Sequence, residues 1–172
     1  MRTVLAWIAW CALSACMPVA STIAQTPDPR PVATQQLAPF ERLIGKRWHL
    51  GESSFQEFDW GVDRRSVKAR AYLIVDGEAK LVSEGLWFWH PGRREVKGVF
   101  TATGMPVTFF DYTTRFEGDT IVSDLRAFGD GGEEQDYQEI WEFVDDGRLS
   151  WTLFERRDGE LEESMSGIYV AR

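Results

Sequence analysis

Residues 66–77 read SVKARAYLIVDG, and this dozen decides the architecture. Val67, Ala69, Ala71, Leu73 and Val75 recur at every second position, so in an extended chain they share one face. A helix would scatter them around its circumference. The run ends in Asp76-Gly77, a pair that tolerates the positive φ angles of a two-residue hairpin turn.

The same grammar extends in both directions. Turn signals fall at Asp76-Gly77, His90-Pro91-Gly92, Gly118-Asp119, Asp130-Gly131-Gly132, Asp146-Gly147 and Asp158-Gly159, with alternating segments between them. RLSWTLFE, for example, places Leu149, Trp151 and Leu153 on one face. About nine or ten strands fit between Arg47 and Val170, and connections this short make neighbours in sequence neighbours in the sheet. So many antiparallel strands curl until they close, which removes exposed edges. The expected fold is all-β: an antiparallel up-and-down barrel. A two-sheet sandwich is the alternative, and it would need long connections crossing between sheets, of which none is obvious. Ahead of the strands, Leu37, Phe40, Leu43 and Ile44 fall on one side of a short helix, with Pro39 in its first turn and Gly45 placed to end it. That helix reads as a plug or lid.

The 172 residues suit one domain that needs no covalent staples. A formal charge of −8 makes nucleic acid and anionic membrane surfaces poor partners. Aromatic residues make up 13% of the chain, enough for a thick core or a lined cavity. Both cysteines, Cys11 and Cys16, precede the strands, so the barrel has no thiol for a disulfide, a zinc cluster or a nucleophile.

The opening MRTVLAWIAWCALSACM has one cation, Arg2, and then an apolar run too short to span a bilayer, the pattern of an export signal. Leu13-Ser14-Ala15-Cys16 resembles the bacterial lipobox, which implies cleavage before Cys16 and lipidation of its thiol. Cleavage after Ala24, giving a simple secreted protein, is the alternative. Met17, rather than Asp, after the lipidated cysteine implies the outer membrane by the sorting rule of enteric bacteria. The expected organisation is a signal peptide over 1–15, a disordered proline-rich tether over 16–36 and a barrel over 37–172. Pro18, Pro27, Pro29 and Pro31 favour extended geometry, so about twenty residues at roughly 3 Å each would hold the barrel on the order of 60 Å from a periplasmic membrane surface.

From Leu43-Ile44-Gly45-Lys46-Arg47-Trp48, through the run of hairpins, to the closing Gly167-Ile168-Tyr169 strand, the chain is similar to the calycin-like small barrels. These are the lipocalin-like and nitrobindin-like domains, including bacterial barrels of unknown function. The resemblance is architectural and implies a closed barrel with a lumen. The Gly-x-Trp that opens many such barrels is one residue longer here. Nitrobindin-like proteins hold haem through a histidine on a late strand. LEESMSGIYVAR, 161–172, contains none, so haem is not expected by that route and no cofactor is assigned.

Catalytic templates find no match. His49 and His90 neighbour no serine elbow, fit no metal spacing, and Asp130–Asp136 lacks the calcium-loop pattern. GLWFWHPGRREV, 85–96, is more informative. Alternation puts Trp87 and Trp89 on one face and Leu86 and Phe88 on the other, so one face lines the barrel. The other face is either covered, as by the amino-terminal helix, or left as a patch for a partner. The ordinary reading is a buried strand with a solvated basic turn; the sharper one is a ligand mouth. Of the strand carboxylates Glu84, Asp111, Asp124 and Glu139, only the last shares its face with Tyr137, Trp141 and Phe143. That is the composition of a lumen wall with one polar handle. Otherwise these acids point to water or pair with an arginine such as Arg70 or Arg126.

The expected function is a non-catalytic envelope protein that binds a small, largely apolar ligand in a barrel lumen through Trp87, Trp89, Tyr137, Glu139 and Trp141, with no metal or catalytic residue assigned. The alternatives are an interaction protein with a filled barrel and, behind it, a hydrolase or isomerase. Cys16→Ser tests the anchor. The variant should leave the membrane fraction for the soluble one, and the lipoprotein reading fails if it fractionates with membranes as the parent does.

Overall fold

The computed structural model describes residues 31–172; the expected signal peptide, the candidate lipidation site Cys16 and most of the expected tether lie outside the described residues. Ten strands follow one another: β1 Arg47–Leu50, β2 Ser54–Trp60, β3 Ser66–Val75, β4 Glu78–His90 and β5 Glu95–Ala102. They continue with β6 Phe109–Glu117, β7 Thr120–Phe128, β8 Glu134–Phe143, β9 Arg148–Arg157 and β10 Glu160–Ala171. Each pairs antiparallel with the next, and β1 pairs with β10, so the sheet closes into a barrel. The sandwich alternative is excluded, and the architecture agrees with what the calycin-like resemblance implies.

Every turn signalled in the sequence connects two strands. Asp76-Gly77 (φ 54° and 81°) and Asp158-Gly159 (φ 52° and 90°) have the two positive φ angles of type I′ hairpins, whose twist matches that of the strands they join. The connections 51–53, 61–65 and 103–108 were not singled out. The second of these is a 3₁₀ turn, Val62–Arg64, in which Asp63 and Arg64 take positive φ without glycine's freedom.

The helical plug begins earlier than its apolar pattern suggested. Helix α1 spans Val32–Leu37 and leads into a 3₁₀ turn, Ala38–Arg42, that carries Pro39 at its start. Residues 32–36, read as disordered tether, are therefore helical. The stretch VATQQL contains no proline after Pro31, whose φ of −55° leads into the first turn. Leu37, Phe40 and Leu43 are buried, and Phe40 sits 5.0 Å from Trp87 and 5.1 Å from Phe116, ring to ring. The plug is fixed to the barrel by Trp48 Nε1, which donates to the Leu43 carbonyl at 3.0 Å. Arg42 adds a bond to Asp119 at 2.7 Å and lies 4.0 Å over the Phe143 ring.

Register decides what faces inward. Residues directly opposite share a face, and from Trp48↔Gln56 around to Tyr169↔Leu50 the inward set is overwhelmingly apolar and aromatic. Bulk alternates with its absence. Trp87 stands across from Gly98 and Phe100 from Gly85, so each ring spreads over a position with no side chain, while Gly167 makes room for Leu50. The outward faces carry ladder ion pairs such as Arg70–Asp59 at 2.6 Å, Lys97–Asp111 at 2.7 Å and Arg115–Asp124 at 2.9 Å. The first and last of these are exposed and contribute little individually to stability, whereas Lys97 is largely buried. They do give the barrel a charged exterior, which is costly on a lipid-facing strand surface.

The glycines separate two mechanisms. A Cβ at Gly85 would overlap the Val99 carbonyl and the Phe100 ring, whereas one at Gly77 meets nothing within 4 Å but must hold φ 81°. In urea titration, Gly77→Ala should cost about 1–2 kcal/mol through backbone strain alone. Gly85→Ala should cost about 3 kcal/mol through overpacking. Equal costs would show that Phe100 yields freely.

Candidate functional site

The lumen is mostly filled by its own side chains. Phe58 packs edge-on to Trp141 at 5.5 Å, Trp87 to Phe100 at 4.5 Å, and Phe100 lies 5.0 Å from Tyr112. What remains is a cavity of about 70 Å³ bordered by Gln56, Ala69, Ala71, Ser83, Trp87, Phe100, Tyr112, Glu139 and Trp141. Its origin is a mismatch between walls. The inward positions of β3 and β4 carry Ala69, Ala71, Ser83 and Gly85, while β5, β6 and β8 offer rings across the lumen. Small residues facing large ones fill a tapered barrel, and here the small wall falls short.

Glu139 is the chemical centre of this space. It is 8% exposed, on a strand whose inward neighbours are Tyr137 and Trp141. Across the ladder its inward neighbours are Ser123 and Leu153. Trp151 Nε1 donates to its Oε1 at 2.6 Å. Burial pushes the carboxyl above its ordinary range, and the indoles of Trp151 and then Trp141 pull it partly back. Trp141 Nε1 nevertheless falls short of hydrogen-bond geometry, and it and Trp87 Nε1 are buried with no partner among the described residues.

Two phenols complete the polar set. Burial raises Tyr112 well above 10, with the Glu139 charge adding to the effect. Tyr169 is raised for the same two reasons in the same order, while Gln56 Nε2, donating to its hydroxyl at 2.8 Å, acts the other way. Both stay protonated at neutral pH. Arg70 borders the cavity, but its guanidinium is engaged with Asp59 at 2.6 Å on the outer face. No lysine or histidine joins the lining.

Trp87, Glu139 and Trp141 are thus brought together around one void. Trp89 shares the inward parity but sits at the plugged end, bordering a groove with Val32 and Arg94. Tyr137 faces inward one step further along β8, opposite Leu125 and Glu155, and does not line the cavity. The other strand acids behave differently from Glu139. Asp111 pairs with Lys97, Asp124 with Arg115, and Glu84 is exposed. Arg126 is bonded to Asp136 at 2.9 Å instead of either. Neither histidine reaches the lumen: His49 lies on the outer face 5.3 Å from the Phe55 ring, and His90 Nδ1 accepts the Arg93 N–H in its turn at 3.2 Å. Sequence reasoning passed over Gln56, Ser83, Phe100, Tyr112 and Trp151 as site residues. Strand parity had already placed Trp151 on one face with Leu149 and Leu153, but only register shows which inward residues meet.

The raised carboxyl makes stability depend on pH with a defined sign. Because the folded state binds the Glu139 proton more tightly than an unfolded chain with a carboxyl near 4.5, stability is full below that value. It falls as pH rises through the folded-state value. Glu139→Gln removes this titration and keeps an oxygen for Trp151. Its urea midpoint should match the parent's near about pH 4 and exceed it near about pH 8. A constant difference across that range would show that burial does not disfavour the charge. No protein-family model matches the chain and no curated protein is significantly similar to it, so the reading of this site rests on its own geometry.

Proposed function

We propose that the chain is a non-catalytic binding module of the cell envelope, held at the periplasmic face of the outer membrane through Cys16, whose lumen binds a small ligand with an apolar body and one polar end. The observation that carries this reading is a void beside a buried carboxyl that lacks a cation, inside an otherwise close-packed aromatic interior. A barrel with a purely structural role gains nothing from either. Packing that stops short of the facing wall forfeits contacts there, and a buried carboxyl with no cation beside it adds a cost.

The volume limits the ligand. Drug-sized molecules need roughly 300 Å³ or more, and a water occupies about 30 Å³ of liquid. A ligand of a few heavy atoms is therefore the fit, and a lipid chain or haem is too large. One carboxyl alone lines the cavity, so a paired-carboxylate hydrolysis has no support there.

Ala71→Leu tests the module, since it fills the void from the small wall and leaves every polar group in place. Titrating the parent with chemically diverse small compounds should change tryptophan emission saturably, because Trp87 and Trp141 border the cavity. The folded variant should lose that response. If parent and variant respond alike, or neither responds to any compound, the filled-barrel interaction protein becomes the better reading.

A further inference from the structure

The charge distribution inside the barrel narrows the ligand class. We infer that the lumen site binds a small organic cation, an ammonium group bearing one or two carbons, with its nitrogen on Glu139 and its carbons against the surrounding rings. This deepens the binding-module reading and rests on it.

Three observations carry the inference. First, among the described residues Glu139 is the only carboxyl that borders the cavity, and no basic side chain compensates it there: the guanidinium of Arg70 is held by Asp59 on the outer face. A cation is the ligand that supplies the missing charge, whereas an anion would meet a carboxylate with no basic group to offset it. Second, acceptors stand where the nitrogen would sit, beside the indole N–H groups of Trp87 and Trp141, which have no partner among the described residues. The hydrogen bond that Glu139 accepts, from Trp151, falls on one of its two oxygens, and the half-buried Tyr112 hydroxyl borders the same cavity. The Gln56 amide donates through Nε2 to Tyr169, which leaves its oxygen available. An ammonium carries three donors and no acceptor. Third, the remaining wall is Trp87, Phe100 and Trp141, aromatic surface that attracts a weakly hydrated cation and shelters its carbons from water.

Size and field agree. A cavity of about 70 Å³ takes two or three heavy atoms. The formal charge of −8 raises the local concentration of cations around the barrel. A bare metal ion fits less well, because hard cations take six or more oxygen ligands and no cluster of three metal-binding side chains occurs among the described residues.

Binding competes with the Glu139 proton. The titratable groups facing that carboxyl are the phenols of Tyr112 on β6 and Tyr169 on β10, both protonated, while β7 and β9 present Ser123 and Leu153. Affinity therefore rises with pH through the carboxyl's titration and then levels off.

The experiment uses the purified full chain at constant ionic strength, with methylammonium chloride, methanol and sodium formate as probes, followed by the indole N–H resonances in ¹⁵N-labelled protein. Methylammonium should shift the Trp151 and Trp141 resonances saturably, binding at least about tenfold more tightly than methanol or formate. Glu139→Gln should lose about tenfold or more of that affinity and its pH dependence, and Tyr112→Phe should weaken binding severalfold with the fold retained. If methanol or formate binds as well as methylammonium, or Glu139→Gln binds it unchanged, the cation assignment is wrong while the binding module stands. If none of the three binds, the cation assignment fails, and the module falls with it only when the wider titration of parent against Ala71→Leu is also flat.

Discussion

The pairing of β1 with β10 is the constraint on which the rest of the structure depends. It is short, with Trp48 opposite Ala171, His49 opposite Val170 and Leu50 opposite Tyr169. It is extended by Arg47 and Arg172, whose backbones exchange bonds at 2.9 and 3.4 Å. Those few bonds convert an open meander with two exposed edges into a surface with none. They also place Trp48 where its indole can hold the plug, since the N–H that bonds Leu43 belongs to the residue that opens the closing ladder. Closure and capping are thus coupled through one side chain.

A closed barrel has an interior of set size, and the interior must be filled by what the strands project into it. Antiparallel pairing sets large residues against small ones, and Trp87 and Phe100 each spread over a glycine on a neighbouring strand. This solution packs most of the lumen densely. It also makes the filling indivisible, because each ring is wedged by its neighbours and an added methyl group at Gly98 would already lie 2.7 Å from the Trp87 ring. Packing stops beside Ala69, Ala71 and Ser83, where small residues face across space instead of into a ring.

The electrostatics are divided by the wall. Outside, acids and bases alternate across the ladders and neutralise one another in water, where such pairs are weak. At the inner cavity, the carboxyl of Glu139 sits among indoles and a phenol with no free basic group beside it. The same residue type therefore has opposite meanings on the two faces of one sheet. On the exterior it aids solubility; in the lumen it is a cost that a complementary ligand can offset.

The all-β class, the six hairpin turns, the strand faces and the presence of a plug were legible in the sequence, because each depends on local rules. Period-two alternation in residues 67–75 and the turn residues Asp76-Gly77 act over a few positions and require no knowledge of distant chain. The helix start at Val32 was not legible, since its burial depends on the barrel end it enters rather than on any apolar repeat of its own. For the site, parity placed Glu139 on a face with Trp141, and the aromatic run placed Trp87 and Trp89 together. What parity leaves open is which strands stand opposite and how far each residue lies along the barrel axis. Only the closed register brought Gln56, Tyr112 and Trp151 to Glu139, moved Trp89 to the plugged end and left a void against Ala71. Sequence by itself determined the alternation and the turns, which are local. The tertiary structure alone decided the cavity and its uncompensated carboxyl, because a void is a property of facing walls and belongs to no single segment.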